Sequence, residues 1–170
     1  DILRTKIMRL LETNRWSTIA VTSPTQACGK TMIATNLAFS FARQRATRAL
    51  LADVDLKRPQ LRKVLGFDAD LSMGDYLMGG IAPEDYFVRV GENLAVGATQ
   101  QSFRHSAELL QHPDASAALD RMKAALKPDV VLYDLPPMLA SDDAMSFMAY
   151  ADCALLIAAE RAIRSDARSR

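Results

Sequence analysis

The sequence predicts an α/β fold, in which helices cover both faces of a doubly wound, mostly parallel β-sheet. The first observation is a series of short apolar runs typical of strands buried on both faces, covering residues 16–21, 49–56, 130–135 and 153–158. The second is that segments with helical spacing of apolar residues separate these runs. The length of 170 residues suits one core, so we assign residues 1–170 to a single domain.

The amino-acid composition limits the kinds of partner and the cell compartment that suit this chain. The 21 basic and 20 acidic residues give a net charge of +1, which favours neither nucleic acid nor an anionic membrane as a partner. Only two cysteines are present, and no apolar run approaches the roughly 20 residues of a membrane span. We therefore expect a soluble chain in a reducing cytosol. It begins at Asp1, which indicates an excerpt of a longer protein or a processed product.

The first half of the chain alternates helix and strand. An amphipathic helix is predicted from Ile2 to Leu11, with one apolar face formed by Ile2, Leu3, Ile7, Leu10 and Leu11. The strand over residues 16–21 leads through a loop into a helix that ends near Gln44. The next strand, over residues 49–56, is expected to be a buried parallel strand that Pro59 ends.

The second half shows shorter elements and then returns to strand and helix. One or two helical turns are predicted over residues 61–65, and Ser72 is a candidate N-cap for a helix over residues 72–77. Residues 86–90 and 94–97 are predicted strands around a turn. Helices are expected over residues 106–110, from Pro113 to just before Pro128, and from Ser141 through Tyr150. A buried strand over residues 153–158 follows.

The segment TSPTQACGKT, residues 22–31, lies between a predicted strand and a predicted helix. In that context Gly29, Lys30 and Thr31 sit at a helix N-terminus, where unpaired N–H groups and the helix dipole attract phosphate. Lys30 could then reach the β- and γ-phosphates, and the Thr31 hydroxyl could ligate Mg²⁺. The candidate ATP-binding residues are Thr25, Gln26, Ala27, Cys28, Gly29, Lys30, Thr31 and Met32.

Aspartates stand at the ends of two other predicted strands: Asp53 with Asp55, and Asp134. Because ligands bind beyond the carboxyl ends of parallel strands, these residues should meet the phosphate loop at one rim of the sheet. Phosphoryl transfer needs such a set, with one carboxylate holding a metal and another accepting a proton. Asp53 and Asp55 should point to the same face and need a cation or donor nearby. The alternative is that these aspartates only begin turns before Pro59 and Pro136.

Three motifs together resemble the bacterial tyrosine kinases of exopolysaccharide and capsule export, a branch of the deviant-Walker P-loop ATPases. They are TSPTQACGKT, LLADVDLKRP (residues 50–59) and VVLYDLPP (residues 130–137), and LLADVDLKRP is similar to the Walker A′ element of the family. NLAFSFARQ and SAELL add support, so the resemblance covers residues 1 to about 159. The opening DILRT is similar to the family's oligomerisation motif, with Asp1 in place of its Glu, Arg4 at its first Arg and Ile7 in place of its second Arg.

The resemblance implies a P-loop NTPase-like fold and a cytoplasmic kinase that uses ATP and Mg²⁺ to phosphorylate tyrosines on a neighbouring copy within a ring. It also implies a membrane-anchored polysaccharide co-polymerase that activates the kinase at the inner face of the bacterial inner membrane. By matching position, Lys30 binds phosphate, and Thr31 and Asp134 serve the metal. Asp53 and Asp55 serve the metal and the acceptor tyrosine, which completes the catalytic set Lys30, Asp53, Asp55 and Asp134.

The sequence departs from the family in its phosphate loop and its tyrosines. Gln26 and Ala27 replace the usual Pro-Gly, and a left-handed backbone at Ala27 would cost about 1–2 kcal/mol. The C-terminal tyrosine cluster of the family is missing, because all four tyrosines lie within the predicted fold. One alternative is therefore a catalytically weak or inactive nucleotide-binding scaffold of the export machinery. Another is a partitioning or cell-division ATPase, which would carry a lysine where Thr25 stands.

Overall fold

The computed structural model describes residues 2–66 and 72–159. Its helices are α1 (Ile2–Asn14), α2 (Lys30–Ala42), α3 (Leu61–Leu65), α4 (Met73–Leu77), α5 (Pro83–Tyr86), α6 (Ser106–Gln111), α7 (Pro113–Leu126) and α8 (Asp142–Phe147). Its strands are β1 (Thr18–Thr22), β2 (Ala49–Asp53), β3 (Val88–Val90), β4 (Leu94–Gly97), β5 (Val130–Asp134) and β6 (Cys153–Leu156). The predicted α/β class is confirmed.

The six strands form one sheet in the order β3-β4-β2-β5-β1-β6. All neighbouring strands are parallel except β3, which runs antiparallel to β4. The central strand β5 lies between β1 and β2, so Asp134 is in register with Val21 on one side and with Asp53 on the other. This order brings the carboxyl ends of β1, β2 and β5 side by side.

Helices bury apolar side chains on both faces of the sheet. One cluster joins the strands to α1 and α2 through residues such as Leu11 and Phe41. The other cluster joins the opposite face to α4, α7 and α8 through residues such as Leu119 and Phe147. Burial on both faces explains why the sequences of β1, β2 and β5 are almost continuously apolar.

Two tyrosines in the cluster that contains α4, α7 and α8 are fully buried and stacked. The rings of Tyr76 and Tyr86 are 4.8 Å apart, and Phe87 meets Tyr76 edge-on at 5.3 Å. The hydroxyl of Tyr76 donates to the carbonyl oxygen of Ala118 at 2.8 Å, and that of Tyr86 to Ala98 at 3.1 Å. Burial raises the pKa of Tyr76 to about 12. Both side chains therefore have structural roles.

The other two tyrosines also belong to the packed interior. Tyr133 on β5 is fully buried, and its ring meets Phe147 edge-on with the centroids 4.8 Å apart. Tyr150 is half-buried and donates its hydroxyl to the carbonyl oxygen of Leu110 at 3.1 Å. All four tyrosines of the sequence thus pack within the fold, as expected from the sequence.

Several short predicted elements are confirmed. Helices α3 and α4 form where expected, and the Ser72 hydroxyl accepts the backbone N–H of Asp75 at 3.2 Å as the predicted N-cap. Helices α6 and α7 begin at Ser106 and Pro113 as predicted. No described helix combines the length and the hydropathy that crossing a bilayer would require.

The strand predicted over residues 86–90 is wrong in its first part. Tyr86 ends helix α5, and only Val88–Val90 pair with β4. Pro83 occupies the first turn of α5, where its fixed φ and missing N–H favour a helix start. The N–H of Tyr86 then donates to the carbonyl oxygen of Ala82 at 3.1 Å. This helical turn directs the Tyr86 ring into the core.

The apolar face predicted on α1 is only partly buried. Ile7 and Leu11 are buried, whereas Ile2, Leu3 and Leu10 are 77%, 45% and 57% exposed. The buried pair is four residues apart and forms a narrow stripe, because α1 packs on the sheet beside α2 at one edge of the helix only. The helix also continues to Asn14, beyond the predicted end.

Several other boundaries differ from the predicted ones. Strand β1 begins at Thr18, and Trp16, which precedes it, is 36% exposed. Strand β2 ends at Asp53 instead of continuing through residue 56. Helix α8 ends at Phe147, and the chain continues to residue 150 as a 3₁₀ turn. Strand β6 is shorter than predicted, and its residues alternate between half-buried and exposed because β1 is its single partner strand among the described residues.

Gly97→Ala should destabilise the fold, because a Cβ atom there would lie 2.5 Å from the ring of Phe87 and 2.7 Å from that of Tyr86. We expect the free energy of unfolding to fall by about 1–3 kcal/mol, as is usual for overpacked cores. Urea denaturation measures it. Gly91→Asn, at a turn with open space around the glycine, is the matched control and should change stability by less than about 1 kcal/mol. A Gly97→Ala protein as stable as the parent would contradict this packing.

Candidate active site

The phosphate loop runs from the end of β1 to the start of α2. Gly29, with φ 81°, precedes the first residue of the helix. Ala27 has φ 60°, a left-handed conformation that strains a residue with a Cβ atom. The backbone at position 27 therefore has the conformation for which the family's glycine is suited, and alanine bears the cost of about 1–2 kcal/mol expected from the sequence.

A cleft of about 540 Å³ opens in front of this loop. Three segments line it: the phosphate loop with the start of α2, the β2–α3 loop with α3, and the segment between β5 and α8. The lining residues are Gln26, Ala27, Cys28, Gly29, Lys30, Thr31, Met32, Asp55, Lys57, Arg58, Gln60, Val64, Pro136, Pro137, Ala140 and Ser141. All predicted ATP-binding residues except Thr25 are among them; the Thr25 hydroxyl lies 3.5 Å from the Cys28 sulfur.

Lys30 joins the phosphate loop to both acidic segments. Its Nζ lies 3.1 Å from Asp55 Oδ2 and 3.2 Å from Asp134 Oδ1, and its side chain is only 10% exposed. Burial alone would lower the pKa of Lys30, but the charges of Asp134 and Asp55 raise it above the ordinary value. The ammonium group therefore stays charged at neutral pH. The structure thus brings together three predicted catalytic residues that are distant in the sequence.

Asp134 is fully buried at the end of β5. Its Oδ2 atom is buried without a hydrogen-bond partner among the described residues. Burial raises the pKa of Asp134, whereas the Lys30 charge and the Thr31 hydroxyl favour the ionised form. A buried carboxylate oxygen without a partner is costly, and hard cations such as Mg²⁺ prefer oxygen ligands. The residues present therefore fit a magnesium ion.

The described histidines, cysteines and acidic residues form no group of three that could hold a metal alone. Mg²⁺ at nucleotide sites keeps waters and is held by one or two carboxylates plus phosphate oxygens. A magnesium site here would therefore depend on the nucleotide for some of its ligands.

Asp53 faces the backbone of the loop that follows it. Its Oδ2 accepts the N–H groups of Gln60 and Leu61 at 3.0 and 2.9 Å, and its Oδ1 accepts that of Asp55 at 3.2 Å. Burial, and then the nearby Asp134 charge, raise the pKa of Asp53 well above its ordinary value. Val54 and Leu56 pack with Leu50 and Ala52 in the cluster that contains α4, α7 and α8. The alternation of β2 therefore continues past its last residue and agrees with the prediction that Asp53 and Asp55 share one face. Their predicted cationic partner is Lys30, which pairs with Asp55.

Another polar cluster at the rim was not predicted. Asp143 on α8 is fully buried, and its Oδ2 accepts the Ser106 hydroxyl while its Oδ1 accepts Lys57 Nζ at 3.2 Å. The same Nζ donates to the Ser141 hydroxyl at 2.8 Å. In the sequence, Ser106 and residues 141–143 indicate only helix starts. The one available signal was the position of Lys57, two residues after Asp55.

Arg58 connects the two walls of the cleft and was not predicted either. Its Nη1 donates to the side-chain oxygen of Gln26, which stands where the family usually has proline. Both residues line the cleft. The β2–α3 loop thus contacts the phosphate loop on one side and, through Lys57, α8 on the other.

Comparison with known proteins supports the motif resemblance. No protein-family model matches the chain. Tyrosine-protein kinase ptk of Acinetobacter johnsonii is 32% identical over 158 residues, which are 92% of this chain and 21% of ptk. The solved BceF tyrosine kinase domain has a TM-score of 0.78 at 26% identity, over 96% of this chain and 66% of that one. The chain is related to the bacterial tyrosine-kinase domains. It spans about a fifth of the length of the curated relative it matches.

A solved nucleotide-bound ATPase shares the same fold. The septum site-determining protein MinD of Pyrococcus horikoshii, complexed with Mg-ADP, has a TM-score of 0.68 at 26% identity. The alignment covers 83% of this chain and 57% of MinD. The expected P-loop NTPase-like fold is confirmed.

Of the two residues predicted to take part in oligomerisation, the structure describes Arg4 but not Asp1. Arg4 on α1 donates from Nη1 to the carbonyl oxygen of Ser40 on α2 at 3.4 Å. Arg4 therefore contacts α2 within the same chain. Asp1 lies outside the described residues. Oligomerisation through this segment stays a prediction.

Asp134→Asn should stabilise the ligand-free protein at neutral pH and weaken the dependence of its stability on pH. Because the pKa values of Asp134 and Asp53 are raised by folding, the folded state binds more protons than the unfolded chain. The stability of the parent should therefore rise as the pH falls from neutral towards the ordinary aspartate range. Asparagine takes up no proton, so acidification should raise the stability of the variant less than that of the parent.

Thermal unfolding at about pH 8 and about pH 5.5 measures this effect. Asp120→Asn, at an exposed position on α7, is the matched control and should behave like the parent at both pH values. An Asp134→Asn protein that gains as much stability on acidification as the parent would contradict the account of the carboxylate cluster.

Proposed function

We propose that this chain is an ATP- and Mg²⁺-dependent protein-tyrosine kinase domain that regulates exopolysaccharide or capsule synthesis and export. The observation that carries the proposal is the position of Lys30, which is paired with Asp55 and Asp134 at the edge of a cleft that the phosphate loop lines. Phosphoryl transfer depends mainly on such positioned charges.

Nucleotide binding is assigned to the phosphate loop. The backbone N–H groups around Gly29 and the first turn of α2 would hold the inner phosphates, and Lys30 would exchange a carboxylate partner for the outer phosphates. The proposed ATP site comprises residues 25–32. Its cleft is large enough for a nucleotide, since small-molecule sites span about 300–1,000 Å³.

Thr31 and Asp134 are the first proposed ligands of Mg²⁺. Bound Mg²⁺ would neutralise negative charge on the phosphoryl group during transfer. The Oδ2 atom of Asp134 has a free coordination position among the described contacts, which supports this assignment. Asp53 is retained as a proposed further ligand, since each carboxylate oxygen has two lone pairs and its described contacts are backbone N–H groups.

Asp55 is the proposed acceptor of the tyrosine proton. Of the three carboxylates it is the one that lines the cleft, where an acceptor hydroxyl could approach. Its contact with Lys30 at 3.1 Å holds the carboxylate towards the transferred group. Asp53 supports this position indirectly, because it accepts the backbone N–H of Asp55.

The acceptor tyrosine is proposed to come from another polypeptide or from sequence beyond these 170 residues. The four tyrosines of the chain pack within the fold, and three of their hydroxyls donate to backbone carbonyls. We further propose a homo-oligomer assembled through Asp1 and Arg4. A membrane-anchored polysaccharide co-polymerase would act as activator at the inner face of the bacterial inner membrane.

A weakly active or inactive nucleotide-binding scaffold is the second candidate. Two features favour it: the strained conformation of Ala27 and the contact of Gln26 with Arg58, which ties the phosphate loop to the opposite wall. A partitioning or cell-division ATPase is less well supported. The similarity to MinD concerns the fold, and Thr25 stands where those ATPases carry a lysine.

Lys30→Met should abolish stabilisation by nucleotide. The parent should show a higher thermal midpoint with saturating Mg²⁺-ADP or Mg²⁺-ATP, by about 2.7 kcal/mol in free energy at 100 times the dissociation constant. The variant should show no shift, because it lacks the ammonium group at the phosphates. Lys127→Met, on the exposed C-terminal end of α7, is the control. Equal shifts in Lys30→Met and parent would place the nucleotide elsewhere.

Phosphotyrosine should form on an added acceptor and not on this chain. The assay combines the 170-residue chain, ATP and Mg²⁺ with a synthetic glutamate–tyrosine copolymer, and an anti-phosphotyrosine antibody detects the product. Chelation of Mg²⁺ by EDTA should abolish the signal, as should Lys30→Met. Binding of Mg²⁺-ATP without product, also after addition of the activator, would overturn the kinase proposal and support the scaffold.

A further inference from the structure

The β2–α3 loop presents a further lysine to the cleft. Lys57 lines the cleft together with the phosphate loop, and its side chain is 41% exposed. The lysine stands two residues after Asp55, which pairs with Lys30. Lys30 is the residue that reaches the outer phosphates in a P-loop. In the proposed nucleotide site, the loop that carries Lys57 would therefore face the outer end of the triphosphate.

Two buried side chains, Asp143 and Ser106, position Lys57. Asp143 and Ser106 are both fully buried, and the Ser106 hydroxyl donates to Asp143 Oδ2. The other oxygen of Asp143 accepts Lys57 Nζ at 3.2 Å. A buried carboxylate with two directional partners has little freedom to move, so the position of the ammonium group is fixed by the packing of α6 against α8.

The ammonium groups of Lys30 and Lys57 differ in how many of their N–H donors have a described acceptor. An ammonium group has three N–H donors. Lys30 has three acceptors within the described site, namely Asp55, Asp134 and the Thr31 hydroxyl at 3.5 Å. The described acceptors of Lys57 are two, Asp143 and Ser141. Its third donor therefore remains for a ligand in the cleft that the side chain lines.

We propose that Lys57 is a second phosphate-binding cation that contacts the terminal phosphate of a bound nucleoside triphosphate, and that Asp143 and Ser106 position it. This inference rests on the proposed nucleotide site and adds to it a preference for triphosphates over diphosphates. A diphosphate lacks the group that Lys57 would contact. The chain should therefore distinguish ATP from ADP through Lys57, while Lys30 and the phosphate loop bind both nucleotides.

Isothermal titration calorimetry with Mg²⁺-ADP and with the Mg²⁺ complex of a non-hydrolysable ATP analogue tests this. Lys57→Met should weaken binding of the analogue about tenfold or more, the usual effect of one lost charge-assisted hydrogen bond, and should change ADP affinity by less than about twofold. Lys57→Arg should restore most of the affinity for the analogue. Lys63→Met, an exposed lysine on α3 outside the cleft lining, is the matched control and should change neither affinity.

Asp143→Asn tests the positioning role, because asparagine keeps the shape but removes the charge that holds Lys57. The ratio of analogue to ADP affinity should fall towards that of Lys57→Met, a change that a general loss of stability would not produce. Equal weakening of both nucleotides by Lys57→Met, or no change in the ratio, would overturn the inference while leaving the nucleotide site intact. A parent that binds neither nucleotide would overturn the proposed function and this inference with it.

Discussion

The site depends on one ammonium group that two buried carboxylates share. Lys30 comes from the helix after β1, Asp134 from the end of β5, and Asp55 from the loop after β2. Taking these charges out of water is costly, and their mutual attraction offsets the cost only when the geometry is good. The strand order β2-β5-β1 supplies that geometry, because it places the three segments next to each other at one end of the sheet.

The same cluster has more negative than positive charge. Asp53, Asp55 and Asp134 are all buried near a single lysine, and folding raises the pKa of Asp53 and Asp134. Such crowding opposes stability in the ligand-free state and favours binding of cations. It is the arrangement expected where function and not stability has determined the residues. The strained Ala27 adds a further local cost in the same place.

The sequence was sufficient to predict the parallel sheet, the P-loop and the convergence of Lys30 with Asp55 and Asp134. Continuous apolar runs and strand-end aspartates are local signals whose spatial meaning follows from the rules of parallel sheets. The partners of Asp53 could not be predicted, because the tertiary position of the β2–α3 loop brings the N–H groups of Gln60 and Leu61 to its carboxylate. The cluster of Lys57, Ser106 and Asp143 joins three segments by tertiary packing, and each residue alone resembles an ordinary loop or helix start.

The sequence has a single tryptophan, Trp16, and its place in the fold gives it a practical use. Its backbone N–H binds the carbonyl oxygen of Leu11, and the residue precedes the first strand, whose far end leads into the phosphate loop. The five residues of β1, which span roughly 17 Å, lie between Trp16 and the phosphate loop. We expect Trp16 fluorescence to report unfolding around α1 and to change little when the cleft fills, so that the two events give separate optical signals.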